Sequence, residues 1–178
     1  MNNFFSTPIW HSFLNIDTNQ LLMRVKEFCD NTESSNRSSI NGIQKRNFLD
    51  KELFFEIENN IPKTNNPFPK HRIYSWININ GPGATNMRHS HVNTSIILSG
   101  TYYLQVPHNS GLIKFHDPRG HMIQDMPDTK YYFGGYSYQT IKPEKNLLLF
   151  FPSWIEHEVE ENKSAEDRIS ISFNIFLE

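Results

Sequence analysis

Arg168-Ile169-Ser170-Ile171-Ser172-Phe173-Asn174-Ile175 decides the fold class. Strand side chains alternate between faces. Arg168, Ser170, Ser172 and Asn174 therefore share one face, and Ile169, Ile171, Phe173 and Ile175 the other. Two placements fit this pattern. The polar face meets solvent, or it lines the inside of a barrel. Inside a barrel a guanidinium grips a carboxylate through two parallel hydrogen bonds, and a hydroxyl adds a further donor.

The same two-residue period begins near His71 and runs through short segments. Strands are expected over 72–79, over 95–106 with a bend or bulge at Gly100, and over 112–116, closed by Asp117-Pro118. Two more are expected over 136–141 and 147–151. Short strands punctuated by Gly and Pro predict a mainly β protein, a jelly roll or related barrel spanning 71–177. Residues 1–70 read as helix and loop packed outside it, within a single domain over 1–178. Asp17 or Thr18 caps a helix with Leu21, Leu22, Val25, Phe28 and Cys29 on its apolar side, ending near Asn31. Residues 31–47 are rich in Ser and Asn and read as loop. Asp50 caps a second helix with Leu53, Phe54 and Ile57 on one face. Pro62, Pro67 and Pro69 exclude regular structure over 59–69.

Composition narrows the class. A chain of 178 residues suits one domain, and 14 Phe with 7 Tyr can fill an all-β core. A formal charge of -2 argues against nucleic-acid or anionic-membrane binding. Cys29 is the only cysteine, which excludes an internal disulfide and a thiolate cluster. No apolar run approaches ~18 residues, and Met1-Asn2-Asn3-Phe4 lacks a basic leader start. A reducing, cytoplasmic setting is the expectation.

Three histidines carry the chemistry. In Met87-Arg88-His89-Ser90-His91, two imidazoles stand two apart, so a strand would turn both to one side. His157 follows the apolar run 147–151 and the turn Pro152-Ser153, at the rim of the expected barrel. Neutral imidazole suits Fe, Zn, Cu or Ni. Exposed loop histidines are the plainer reading of each piece alone. The three together with Arg168 point to a mononuclear metal site beside a carboxylate pocket.

These residues resemble the iron(II)/2-oxoglutarate-dependent oxygenases, which are built on a double-stranded β-helix. The Arg168-x-Ser170 pair, eleven residues after His157, is similar to the pair that holds the far carboxylate of 2-oxoglutarate in one branch of that superfamily. The chain resembles more closely a small family of such oxygenases found in marine bacteria and their phages. The pattern opens with Phe5-Ser6-Thr7-Pro8-Ile9-Trp10 and continues with His89-Ser90-His91 and Leu98-Ser99-Gly100-Thr101-Tyr102-Tyr103-Leu104. Then come Gly111 through Arg119, Leu149-Phe150-Phe151-Pro152-Ser153-Trp154, His157, and Arg168 through Asn174.

The resemblance implies iron(II) and 2-oxoglutarate as cofactors. It implies an enzyme, a dioxygenase that couples 2-oxoglutarate decarboxylation to C–H oxidation, most simply a hydroxylation. The metal set would be His89, His91 and His157. The superfamily's usual carboxylate, two residues after the first histidine, is replaced here by His91. The alternatives are one of His89 and His91 with Asp117 or a water completing the set, or a site holding another metal or none. Arg168 and Ser170 would hold the cosubstrate, with a phenol from Tyr103 or Tyr102. Only one of these neighbours can face inward. Asn80 and Asn93 are further pocket candidates, and Trp76 and Trp154 candidate walls. Asp117 and Arg119 flank Pro118, and the plainer reading pairs them to fix a turn. The partner implied is a small-molecule or peptide substrate, with a homodimer left open and no membrane. Two competing functions remain: an inactive cupin-like binding or structural protein, and a three-His metal enzyme that does not use 2-oxoglutarate.

Overall fold

Eleven strands and two helices form the described residues of the computed structural model, which are 6–35, 37–63, 68–119 and 137–178. Phe5 of the opening motif and Tyr136 of the expected 136–141 strand lie outside them. In chain order the elements are β1 (Trp10–Phe13), α1 (Thr18–Asp30), β2 (Ser39–Ile40), β3 (Ile43–Arg46) and α2 (Lys51–Asn59). The chain continues with β4 (His71–Asn80), β5 (Thr85–His89), β6 (Ile96–Gln105), β7 (Ile113–His116) and β8 (Tyr138–Ile141). It closes with β9 (Leu147–Pro152), β10 (His157–Val159) and β11 (Arg168–Leu177). One sheet has the order β1-β9-β6-β11-β4-β3, the other β2-β5-β10-β7-β8. The pairings are antiparallel, and this is the expected double-stranded β-helix.

Both helix caps fall where expected. The Asp17 carboxylate accepts from the N–H groups of Asn19 and Gln20 at 3.0 and 3.1 Å. Asp50 accepts from Leu53 N at 2.9 Å, and also from Arg24 Nε at 2.6 Å, which ties α2 to α1. Each cap satisfies donors that the first helical turn leaves unpaired. Leu21 and Val25 of α1, with Leu53 and Ile57 of α2, are buried against the six-stranded sheet. There they meet Ile77, Tyr102, Leu148, Phe150, Ile171 and Phe173. Burying each such side chain stabilises the fold by about 1.5–3 kcal/mol. A second, smaller apolar cluster lies between the sheets: Tyr103, Ile113, Phe115, Leu147, Leu149, Phe151 and Ile155.

Two expectations need correction. Residues 31–47 are not all loop, because β2 and β3 pair with β5 and β4. Both are polar edge strands, so their partners' backbones, not an apolar period, hold them. Gly100 marks a close approach, not a bulge. Its pairing with Phe173 is regular, and the register of β6 on β11 shifts elsewhere, between Ile169 and Ser170 and between Ile175 and Phe176. A Cβ at Gly100 would lie 2.3 Å from the Phe173 ring and 2.5 Å from the Leu149 carbonyl oxygen. Among the described residues, no helix is long and apolar enough to cross a membrane.

Candidate active site

The alternation in β11 resolves inward for its polar face. Arg168, Ser170 and Ser172 line a narrow cavity between the sheets, together with Tyr103, His89, His91 and His157. Ile169, Ile171, Phe173 and Ile175 face the helices.

Each histidine arrives differently. His89 ends β5 and His157 begins β10, and the two are direct register partners. His91 is not in a strand. It sits in the loop after β5, where its N–H donates to the Ser153 carbonyl at 2.9 Å. Strand alternation therefore does not align His89 with His91; the loop's bond to the β9–β10 turn does. The ring centroids lie 4.5 Å (His89–His157), 5.1 Å (His89–His91) and 5.2 Å (His91–His157) apart. One ring nitrogen from each comes within 4.8 Å of the other two.

Backbone hydrogen bonds fix the tautomers of two of these rings, and burial keeps all three neutral. His89 Nδ1–H donates to the Met87 carbonyl at 2.6 Å, and His157 Nδ1–H to the Ile155 carbonyl at 3.1 Å. In the neutral ring each then carries its lone pair on Nε2. His91 Nδ1 lies 3.5 Å from the Asn174 amide, which Ser99 Oγ holds from the other end at 2.7 Å. Burial pushes the pKa of all three down. His157 falls to about 3 and His91 to about 4, with neighbouring imidazoles lowering both further. For His89 burial lowers the value while the Met87 bond opposes it. All three rings are neutral near pH 7, the form that binds metal.

Arg168 is 1% exposed. Its Nη1 donates to the Ser110 carbonyl at 2.6 Å, its Nε has no partner, and no carboxylate pairs with it among the described residues. Burial pushes its pKa down, opposed by Tyr103. Tyr103 lies opposite Ser170 across β6 and β11. Burial lifts its phenol to about 12, with Arg168 pulling the other way, so it stays protonated and can donate.

The remaining candidates separate by position. Tyr102 faces the helices, donating to Asn146 Oδ1 at 2.9 Å, so of the two tyrosines only Tyr103 lines the cavity. Asp117 lies outside the histidine group and is taken up by Arg119, whose Nε and Nη2 donate to it at 3.0 and 2.8 Å. The pair fixes a turn. Asn80 is buried beside Arg168 in register but bonds Asn86 Oδ1 at 3.1 Å and does not line the cavity. Asn93 caps its own loop through Ser95 N at 2.9 Å and borders only the outer cavity. Trp76 walls the site, with its ring 5.6 Å from that of His91, whereas Trp154 is exposed. Sequence reading passed over Asn78, which accepts from Gln44 Nε2 and donates to Ser172 Oγ on the cavity wall. The signal was present: Trp76 and Asn78 alternate with Ile77 and Ile79 in β4, as in β11.

Three converging neutral imidazoles fit a divalent first-row metal such as iron(II). A buried guanidinium with an orphaned donor in the same cavity fits the carboxylate of a cosubstrate. Fold and site together define a double-stranded β-helix protein with a three-histidine cluster and a buried arginine that has no acidic partner among the described residues. The family described as "Putative 2OG-Fe(II) oxygenase" matches residues 74–174, and the chain belongs to it. It is thus an enzyme, an iron(II)- and 2-oxoglutarate-dependent dioxygenase.

Solved structures share the fold. A Pseudomonas putida prolyl-4-hydroxylase aligns with a TM-score of 0.67 at 11% identity, over 97% of this chain and 94% of its own. A Trichoplax adhaerens prolyl hydroxylase, solved with a hypoxia inducible factor oxygen degradation domain peptide fragment, aligns at 0.65 and 18% identity, over 95% and 82%. HygX from Streptomyces hygroscopicus, solved with nickel and 2-oxoglutarate, aligns at 0.63 and 9% identity, over 96% and 83%. No curated protein matches the chain.

Proposed function

We propose that this oxygenase hydroxylates a C–H bond of a substrate entering past His89 and His91. In this reading His89, His91 and His157 hold iron(II), and Arg168, Ser170 and Tyr103 hold the far carboxylate of 2-oxoglutarate. The observation that carries it is the orphaned Nε of buried Arg168, in the same cavity as the three imidazoles. A buried cation without a counter-ion costs stability, and an incoming carboxylate offsets that cost.

When bound, iron(II) with 2-oxoglutarate supplies oxygen-dependent C–H oxidation, with succinate and carbon dioxide as co-products. The protein's residues do the rest. The carbonyls of Met87 and Ile155 fix the tautomers of His89 and His157. Asn174, anchored by Ser99, steadies His91. Tyr103, kept protonated by burial, donates alongside Arg168. Phe115 and Phe151 pack on His157, excluding water from that side. On the motifs of its sequence we assign the chain to the marine bacterial and phage branch, and we take a reducing, cytoplasmic setting as its default.

Replacing Arg168 with Leu tests the assignment. Calorimetry with manganese(II) under nitrogen should show 2-oxoglutarate affinity falling by ~10–100-fold, since a charge-assisted pair is lost. Manganese affinity should not change. Succinate should form from 2-oxoglutarate with iron(II) in the wild type and fall in the variant. Equal 2-oxoglutarate affinity in the two proteins would remove Arg168 from the pocket.

A further inference from the structure

Past His89 and His91 the narrow cavity opens into a wider one of about 490 Å³. Its walls include Arg37, Arg46 and Arg88, and no aspartate or glutamate among the described residues. Arg88 is already engaged, its Nε donating to Glu156 at 3.0 Å. Arg37 and Arg46 have no acidic partner among the described residues.

The placement of these two is built. Arg46 ends β3 directly opposite Trp76 of β4, and residues opposed in an antiparallel pair share a face. The Arg37 backbone N–H donates to Gln44 Oε1 at 2.8 Å, and Gln44 Nε2 donates to Asn78 Oδ1 at 2.8 Å, so the segment is tied to the inner wall. An aromatic row leads from these cations to the histidines. The Tyr74 and Trp76 rings are 6.2 Å apart, and the Trp76 and His91 rings 5.6 Å.

We propose that the molecule oxidised here is a small anion. Its carboxylate or phosphate is held by Arg37 and Arg46, and its apolar body lies along Tyr74 and Trp76. A C–H bond at the far end then reaches the histidine cluster. The inference rests on the proposed function of the inner site. A cavity lined by one sign of charge concentrates the opposite charge. Guanidinium forks match carboxylate and phosphate oxygens, and the aromatic row accepts a flat or aliphatic body. A cationic substrate would meet repulsion, with no carboxylate among the described residues of the wall to offset it.

The test uses phenyl phosphate, phenylacetate and the neutral phenylacetamide. Each is titrated into the full chain with manganese(II) and saturating 2-oxoglutarate under nitrogen, so that the Arg168 pocket is filled. Binding is followed by ligand-observed NMR. Both anions should bind at least about 10-fold more tightly than the amide, the effect of a charge-assisted contact. The tighter of the two anions identifies the group the site takes. The preference should disappear in the Arg37→Gln/Arg46→Gln double variant, whose circular dichroism should match the wild type. It should persist in Arg168→Leu, where loss of 2-oxoglutarate affinity separately tests the inner site. Equal binding of the amide and the anions overturns the proposal, as does a preference that survives in the double variant.

Discussion

On one face of the six-stranded sheet, Ile77, Tyr102, Leu148, Phe150, Ile171 and Phe173 close against two helices. On the other, Asn78, Thr101, Tyr103, Arg168, Ser170 and Ser172 border a cavity. The same strands build both, one residue out of phase. The helix side carries the apolar burial that holds the domain together. The cavity side keeps a guanidinium, three neutral imidazoles and a set of hydroxyls and amides out of bulk water, which costs stability unless partners or ligands offset it. The two faces should therefore respond differently to change. The helix face should control stability and leave binding alone, whereas the cavity face should control binding and bear on stability through the protonation of its histidines.

The largest expected effect breaks the helix face. Phe173→Ala removes a fully buried ring that packs on Phe150 at 5.5 Å and fills the space over Gly100. Urea denaturation should show a loss of about 3–5 kcal/mol. The protein that remains folded should keep its manganese affinity. A large fall in that affinity would show that the two faces are not separable.

Acid should expose the cost on the cavity face of the metal-free protein. Burial holds His157 near 3 and His91 near 4, below the ordinary 6.5. The unfolded chain then binds more protons than the folded one as pH falls below about 6.5, so stability rises with pH there. The contribution is full above that value and is lost progressively as pH falls from it, completely once pH has dropped through about 4 for His91 and about 3 for His157. Thermal melts of the metal-free chain between pH 7.5 and 4.5 should show this fall, with a shallower slope in His157→Leu. Identical slopes would contradict the burial of His157 as a neutral base.

The smallest effect sharpens the contrast at two adjacent residues. Tyr102→Phe loses the bond to Asn146 and should cost about 1 kcal/mol of stability, with unchanged 2-oxoglutarate affinity. Tyr103→Phe should instead weaken 2-oxoglutarate by a few fold, the worth of one hydrogen bond, and barely shift the melt. Calorimetry and melting curves on the two variants check this. The opposite pattern would reverse which tyrosine serves the pocket.

Much of this was legible beforehand because it is local. Asp17 and Asp50 announce helices, since a carboxylate before an apolar helical period has one obvious use. The β11 alternation shows its two faces, but not which one is inside. Two elements were opaque: β5 and β10, which carry His89 and His157, read Thr85-Asn86-Met87-Arg88-His89 and His157-Glu158-Val159, polar runs with no apolar alternation to mark a strand. β2 and β3 were invisible for a related reason, being polar edges held by backbone bonds to their partners.

The sequence by itself determined the residue types, the periodicity and so the sheet-and-helix class, together with three imidazoles and a guanidinium in chain positions that resemble an oxygenase. Tertiary structure alone decided that the polar face of β11 turns inward, that Tyr103 and not Tyr102 borders the cavity, and that Asp117 belongs to Arg119. It also decided that His91 reaches the cluster from a loop, through a backbone bond to Ser153 more than 60 residues away. The physical reason is common to these cases. Alternation and capping are set by bonds within a few residues. The inside of a barrel exists only once strands distant in the chain have paired, and only then do burial and hydrogen bonding choose among the groups the chain offers.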